Sequence, residues 1–256
     1  MPSPIRVAVV NWSSHISDAD LTSGVAALQA QVHNEFSNAW HVDADLYPCA
    51  TNAAQDGSVW GLILLDQASI AYAGYGDATS GGLPLAKVDV SALAPGEQWT
   101  HRASHALLEM LVDPVISSTV YRQVANPDRY SLYAHEICDP CDGTEHGYVS
   151  GGWQLADFVL PAWFGQPGGS GFDQQNHVTA PFQVLANSYA YVFDLPTGTL
   201  SAIDAMGNRL ASQPALDVRL GRLQSALSAS PTPPKTPPPP AGPGGPGGPM
   251  GPLYPP

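Results

Sequence analysis

The sequence predicts an α+β fold: a mixed β-sheet with a backing helix, then a helix carrying metal-ligand side chains, then a loop-rich C-terminal half. Three observations predict it. Short apolar runs rich in β-branched residues recur up to Val90, with a long amphipathic pattern between the first two. A second helical pattern, over 99–114, sets His101, His105 and Glu109 one turn apart. At roughly 100° per residue they fall within an arc of about 80°. Past Pro114, Gly, Pro and turn-forming pairs break the periodicity.

The elements follow in order. Residues 5–11 form a continuous apolar run, the mark of a buried strand. Ser17, Asp18 and Asp20 offer N-cap chemistry for a helix whose Leu21, Val25, Leu28, Val32 and Phe36 step by three and four. Residues 42–47 alternate apolar and polar up to Pro48, and 59–66 (Val-Trp-Gly-Leu-Ile-Leu-Leu-Asp) is the strongest central strand. Residues 72–82 read as a flexible turn, and 83–90 as another strand with Lys87 and Asp89 on its open side. The helix at 99–114 completes a β-α-β-β-β-α order, anchored by Leu107, Leu108, Met110 and Leu111. Beyond it, 115–124 is strand-like, 130–137 is strand or helix, 157–164 and 180–185 are packing segments, 189–193 is a strand and 216–227 a helix.

The chain is expected to fold as one domain over 1–229, with 1–114 as its regular part and 115–229 as its loop-rich part. Residues 230–256 are Pro/Gly-dominated and cannot bury a core, so an extended, disordered tail is expected there. Nine Lys+Arg against 22 Asp+Glu give a net charge of −13, which repels phosphate backbones and argues against nucleic acid as a partner. No apolar run reaches membrane-spanning length and the N-terminus does not read as a secretory signal, so the default location is cytoplasmic or particle-associated. Three cysteines make no disulfide framework. Cys138-Asp139-Pro140-Cys141 has the spacing of a redox pair or half a zinc knuckle, but no second such pair accompanies it, so two reduced thiols are the simpler expectation.

The spacing on the 99–114 helix is that by which one helix offers two ligands to one metal ion. Two registers share His105. In one, His105 pairs with Glu109; in the other, His101 and His105 form the classical i,i+4 histidine pair, with Arg102 between them. A zinc peptidase of the HExxH type keeps its general base directly after the first histidine, and here that residue is Ala106. Alanine cannot exchange a proton, and Arg102 cannot act as a base at neutral pH. Three readings are then open: the protein does not hydrolyse peptides, another group (His101, His135 or His177) has taken over, or the base was deliberately replaced. A surface helix can also carry such a face with no metal. Trp153, Trp163 and Phe164 are expected to pack rather than stack on a ligand.

The run Ser104-His105-Ala106-Leu107-Leu108-Glu109-Met110-Leu111-Val112-Asp113-Pro114 resembles a zincin-like, metallopeptidase-related family of bacterial and phage proteins whose helix reads S-H-E-x-L-E-M-x-x-D-P. Downstream, Glu136-Ile137-Cys138-Asp139 matches an E-x-C-D element, 157–164 an F-V-x-P-A-W-F element and 180–182 an A-P-F element. The resemblance implies a zincin-like sheet and helix. It also implies zinc, or another divalent ion, on His105, Glu109 and Glu136, with Asp139 beside Glu136 as an alternative third ligand. A peptide or protein would be the partner, and Ala106 would leave hydrolysis impaired. The competing expectation is a non-catalytic binding or particle-associated protein on the same scaffold, with the tail as a tether.

Overall fold

The computed structural model describes residues 4–51, 53–66, 74–123, 130–167, 170–195 and 198–210. The helix expected at 216–227 and the tail at 230–256 lie outside the described residues.

The centre of the first sheet is β1 (Ile5–Asn11), where Val7, Ala8, Val9 and Val10 are all fully buried. Burial on both faces is why this strand reads as an unbroken apolar run. It pairs in parallel with β2 (Ala44–Pro48) on one side and β3 (Trp60–Leu65) on the other. Beyond β3 come β5 (Pro84–Asp89), also parallel, and β4 (Gly74–Ala78), antiparallel on the edge. The order is β2-β1-β3-β5-β4. Strand β4 corrects the expectation of a plain turn over 72–82. Edge pairing uses backbone groups that any residue supplies, so a glycine-rich strand carries no apolar alternation to announce it.

Alternate side chains of β1 divide the core. Val7 and Val9 face a large cluster that also holds the helices, whereas Ala8 and Val10 face a smaller one with Val59, Ile63, Leu65 and Leu85. Helix α1 (Asp18–Gln31) starts at Ser17, whose Oγ accepts from the Asp20 N–H at 3.1 Å. Its expected apolar face, Leu21 to Phe36, is buried throughout. The last of these residues lie in a π turn (Val32–Phe36), and a short α2 (Ser37–Trp40) carries the helix on to His41, where left-handed backbone ends it.

Helix α3 (Trp99–Val112) packs against β5, β4 and α1. Gly24 of α1 sits where a Cβ would come 2.2 Å from the Trp99 ring, so glycine is what lets the two helices approach here. A buried polar network ties α3 to its neighbours. Ser104 Oγ donates to Gln31 Oε1 at 2.7 Å, and Gln31 Nε2 donates to the Ala156 carbonyl at 2.9 Å. The helix ends two residues short of Pro114, because a residue before proline is driven from helical backbone; Asp113 has φ −125° and ψ 67°. Its carboxylate then accepts from the Ser117 and Ser118 N–H groups, turning the chain away.

After this turn come β6 (Thr119–Gln123) and β7 (Tyr130–Ala134), and late in the chain β10 (Ala190–Asp194) and β11 (Thr199–Ile203). They make a four-stranded antiparallel sheet, ordered β11-β10-β7-β6. Between β7 and β10 lie a hairpin, β8 (Tyr148–Ser150) and β9 (Trp153–Leu155), and a 3₁₀ turn, Pro161–Phe164. The hairpin turns on Gly151 and Gly152 at φ 60° and 86°, as a two-residue loop with two positive φ values requires. Trp163 and Phe164 are buried, and Trp153 lies against Trp99, so all three serve packing. The larger core cluster draws on both halves of the chain, from Val7 to Val192. The molecule is therefore α+β, with one mixed and one antiparallel sheet. Among the described residues no helix is long and apolar enough to cross a membrane.

Candidate metal centre

Two segments build the centre. Helix α3 supplies His105 and Glu109, one turn apart and both buried. The stretch after β7 supplies Glu136, Cys138, Asp139 and Asp142 around a 3₁₀ turn, Asp139–Cys141. Pro140 in its first positions has no N–H to waste, which suits it to the start of a helical turn. Later chain pins the turn down: the N–H groups of Leu185 and Tyr189 donate to the carbonyls of Pro140 and Asp139, and Ser188 Oγ donates to that of Asp142.

His105 Nε2 lies 3.1 Å from Glu109 Oε1 and 3.3 Å from Asp139 Oδ1, and His105 Nδ1 lies 3.3 Å from Asp142 Oδ1. Cys138 lies in one potential ligand group with His105 and Glu109, and Glu136 in another with Glu109 and Asp139; ligand atoms within each group are no more than 4.8 Å apart. These are crowded contacts without hydrogen-bond alignment. Both ring nitrogens of His105, Glu109 Oε1 and both oxygens of Asp139 are buried with no hydrogen-bond partner. Buried polar atoms in proteins are otherwise almost always satisfied.

Charge sharpens the point. Burial favours the neutral imidazole, but Glu109, Asp139 and Asp142 outweigh it and raise the His105 pKa well above the ordinary value. Burial raises the Glu109 carboxyl; His105 pulls it back, while Asp139 and Glu136 push it up. Asp139 is pushed up to about 6, by burial first. Asp142, against its own burial, is held far below the carboxylate range by His105 and Arg102. One imidazole thus faces three carboxyl groups, with Glu136 bearing on two of them and Arg102 acting on Asp142. The cluster is short of positive charge.

A divalent ion fits this deficit. Two donors bound at 2.0–2.2 Å to one tetrahedral ion stand roughly 3.3–3.6 Å apart, close to the 3.1 and 3.3 Å separating His105 Nε2 from its two carboxylate oxygens. Nitrogen, carboxylate oxygen and thiolate sulfur are together a donor set zinc accepts. His105 Nε2, Glu109, Asp139, Glu136 and Cys138 would hold the ion. Asp142 would act from behind, facing Nδ1 and fixing the ring, as carboxylates commonly do for metal-bound histidines. Bound there, a dication would neutralise the carboxylates, join α3 to the 136–142 stretch and, at any open position, act as a Lewis acid.

The structure brings together four of the five candidate residues: His105, Glu109, Glu136 and Asp139. It places the fifth, His101, elsewhere. His101 Nδ1 lies 2.9 Å from Glu97 Oε1, which also accepts from Arg102 Nε at 2.6 Å, and His101 belongs to none of the ligand groups found among the described residues. Ala106 is completely buried in the larger core cluster. Of the substitute bases considered, His135 packs against Trp40 and Phe164, and His177 belongs to a separate cluster. Cys138 and Asp142 were not among the expected ligands or their supports. Cys138 had the half-knuckle spacing with Cys141, set aside for want of a second such pair, whereas the signal for Asp142 was faint: Asp139 and Asp142 stand three apart, which on one tight helical turn puts them on the same side. Cys138 and Cys141 are free thiols, and burial raises the pKa of both.

Comparison with protein-family models, curated proteins and solved structures gives no match to this chain.

Proposed function

We propose that this protein is a metal-binding, zincin-like relative of the metallopeptidases that has lost hydrolysis and holds a divalent ion, zinc by preference, in a closed structural site. The observation that carries the reading is His105 Nε2, set 3.1 and 3.3 Å from two buried carboxylate oxygens with no hydrogen bond between them. The zincin-like part is supported by the motif on α3 and by the position of that helix against β5 and the antiparallel edge strand β4. Two features argue against hydrolysis. Ala106 offers no base, and His105, Glu109 and Asp139 are only 4%, 3% and 1% exposed, leaving little room for a substrate. Closed sites are the structural kind.

Metal analysis of untagged protein tests the reading. About one equivalent is expected at this centre, lost in His105→Ala. Less than about a tenth of an equivalent, unchanged by His105→Ala, would overturn it. A second variant separates a closed site from a peptidase silenced by one residue. Folded, metal-loaded Ala106→Glu should gain no activity on an unfolded protein substrate. Measurable cleavage would mean that the site opens and that Ala106 is the only lesion.

A further inference from the structure

A second cluster shares no residue with the first. Asp157 follows β9, and Asp173 is brought beside it by a short antiparallel bridge between Val159 and Asp173, with Leu160 N–H donating to the Phe172 carbonyl at 2.8 Å and Gln174 N–H to that of Phe158 at 3.0 Å. Both carboxylate side chains are completely buried. Backbone donors orient them. Asp157 Oδ1 accepts from the N–H groups of Phe158 and Gln175. Asp173 Oδ1 accepts from Val178 N–H and Oδ2 from His177 N–H.

That leaves Asp157 Oδ2 buried with no hydrogen-bond partner. It lies 3.4 Å from His177 Nδ1, and Asp173 Oδ2 lies 3.8 Å from the same nitrogen. One ligand atom from each residue falls within 4.8 Å of the others. The His177 side chain is 39% exposed, so one side of the cluster opens to water. We propose that Asp157, Asp173 and His177 form a second divalent-cation site, one that staples the 171–178 loop to the segment after β9.

The alternative to a cation is a proton. Two buried carboxylates in contact cannot both stay ionised, and burial followed by the neighbouring Asp173 pushes Asp157 up to about 9. A dication can replace that proton, with the solvent-side imidazole as third ligand. Two carboxylates and one imidazole suit zinc or manganese better than calcium, which takes six to eight oxygens. The site differs from the His105 centre in having an open side.

The test uses the full untagged chain, stripped with chelator and titrated calorimetrically with zinc, then with manganese followed by electron paramagnetic resonance. Wild type should take two equivalents of zinc. His177→Ala and Asp157→Asn should each weaken one of them by at least about tenfold and spare the other, which His105→Ala should remove. His177 is partly exposed and Asp157→Asn keeps the side-chain shape, so both variants should fold; circular dichroism checks that. If both fold and bind zinc and manganese as wild type does, the pair shares a proton and the proposal fails. One equivalent, lost in His177→Ala and kept in His105→Ala, would uphold this site while overturning the His105 centre. The reverse pattern would overturn this site alone.

Discussion

Helix α3 carries two histidines one turn apart, and they have met opposite fates. His101 faces Glu97 at 2.9 Å, and Arg102 shares that carboxylate, so one buried acid is balanced by a ring and a guanidinium in good hydrogen-bond geometry. His105 faces Glu109, Asp139 and Asp142 at 3.1–3.3 Å, and its ring nitrogens and the facing atoms of Glu109 and Asp139 are unsatisfied. Identical spacing thus yields a finished ion pair at one turn and a charge deficit at the next. What singles out His105 as a candidate metal ligand is the imbalance among the groups that tertiary structure brings to it. The i,i+4 pattern is common to both.

The widest separation should come from deleting each ring in turn. His105→Ala removes the imidazole that faces Glu109, Asp139 and Asp142, and breaking a buried charged set in this way costs about 3–5 kcal/mol. His101→Ala leaves Glu97 with Arg102 and the Ala94 N–H, so a loss of about 1 kcal/mol is expected. Urea unfolding measures both. The zinc bound at the first centre should vanish in the first variant and persist in the second. Equal losses of stability and metal would erase the distinction between the two turns.

Metal removal probes the same contrast from the ligand side. An ion present at about 100 to 1,000 times its dissociation constant stabilises by roughly 3–4 kcal/mol, which corresponds to about 10 °C in melting temperature for a domain of this size. Chelator should therefore lower the melting temperature of wild type and of His101→Ala alike. It should leave His105→Ala less affected, with any residual shift reporting the Asp157 cluster. An unchanged wild-type melting curve, with metal removal verified, would mean that neither centre supports the fold.

What the sequence made legible follows the range of the interactions. His105 and Glu109 belong to one helix, so their shared face could be read from spacing alone, as could the buried stripe from Leu21 to Phe36. Asp142 and Cys138 reach His105 only because Leu185, Ser188 and Tyr189 pin the turn that bears them, a contact across more than forty residues that no local pattern records. The partner of His101 lies in the loop before the helix, where Glu97 resembled any acid near an N-terminus. Strand β4 escaped notice because its glycines remove the alternation by which strands are recognised, and β8 and β9 because three residues are too few to show one, although Gly151-Gly152 was a hairpin signal in plain view.

A pH titration tests the finished half of the comparison. Glu97 is held down to about 2: burial would raise it, but His101, the Ala94 N–H and Arg102 prevail. A carboxyl lowered in the folded state stabilises the protein above its unfolded pKa, near 4.5, and loses that contribution as pH falls toward about 2. Glu97→Gln keeps the shape but not the charge, and should cost about 2 kcal/mol at neutral pH, after allowing for screening at Arg102, whose side chain is 33% exposed. The difference between wild type and variant should stay constant down to about pH 5 and then shrink below pH 4.5. Metal content should not change at any of these pH values where wild type retains its ion. A variant that lost zinc along with the ion pair would tie the two turns into one site and return His101 to the metal centre.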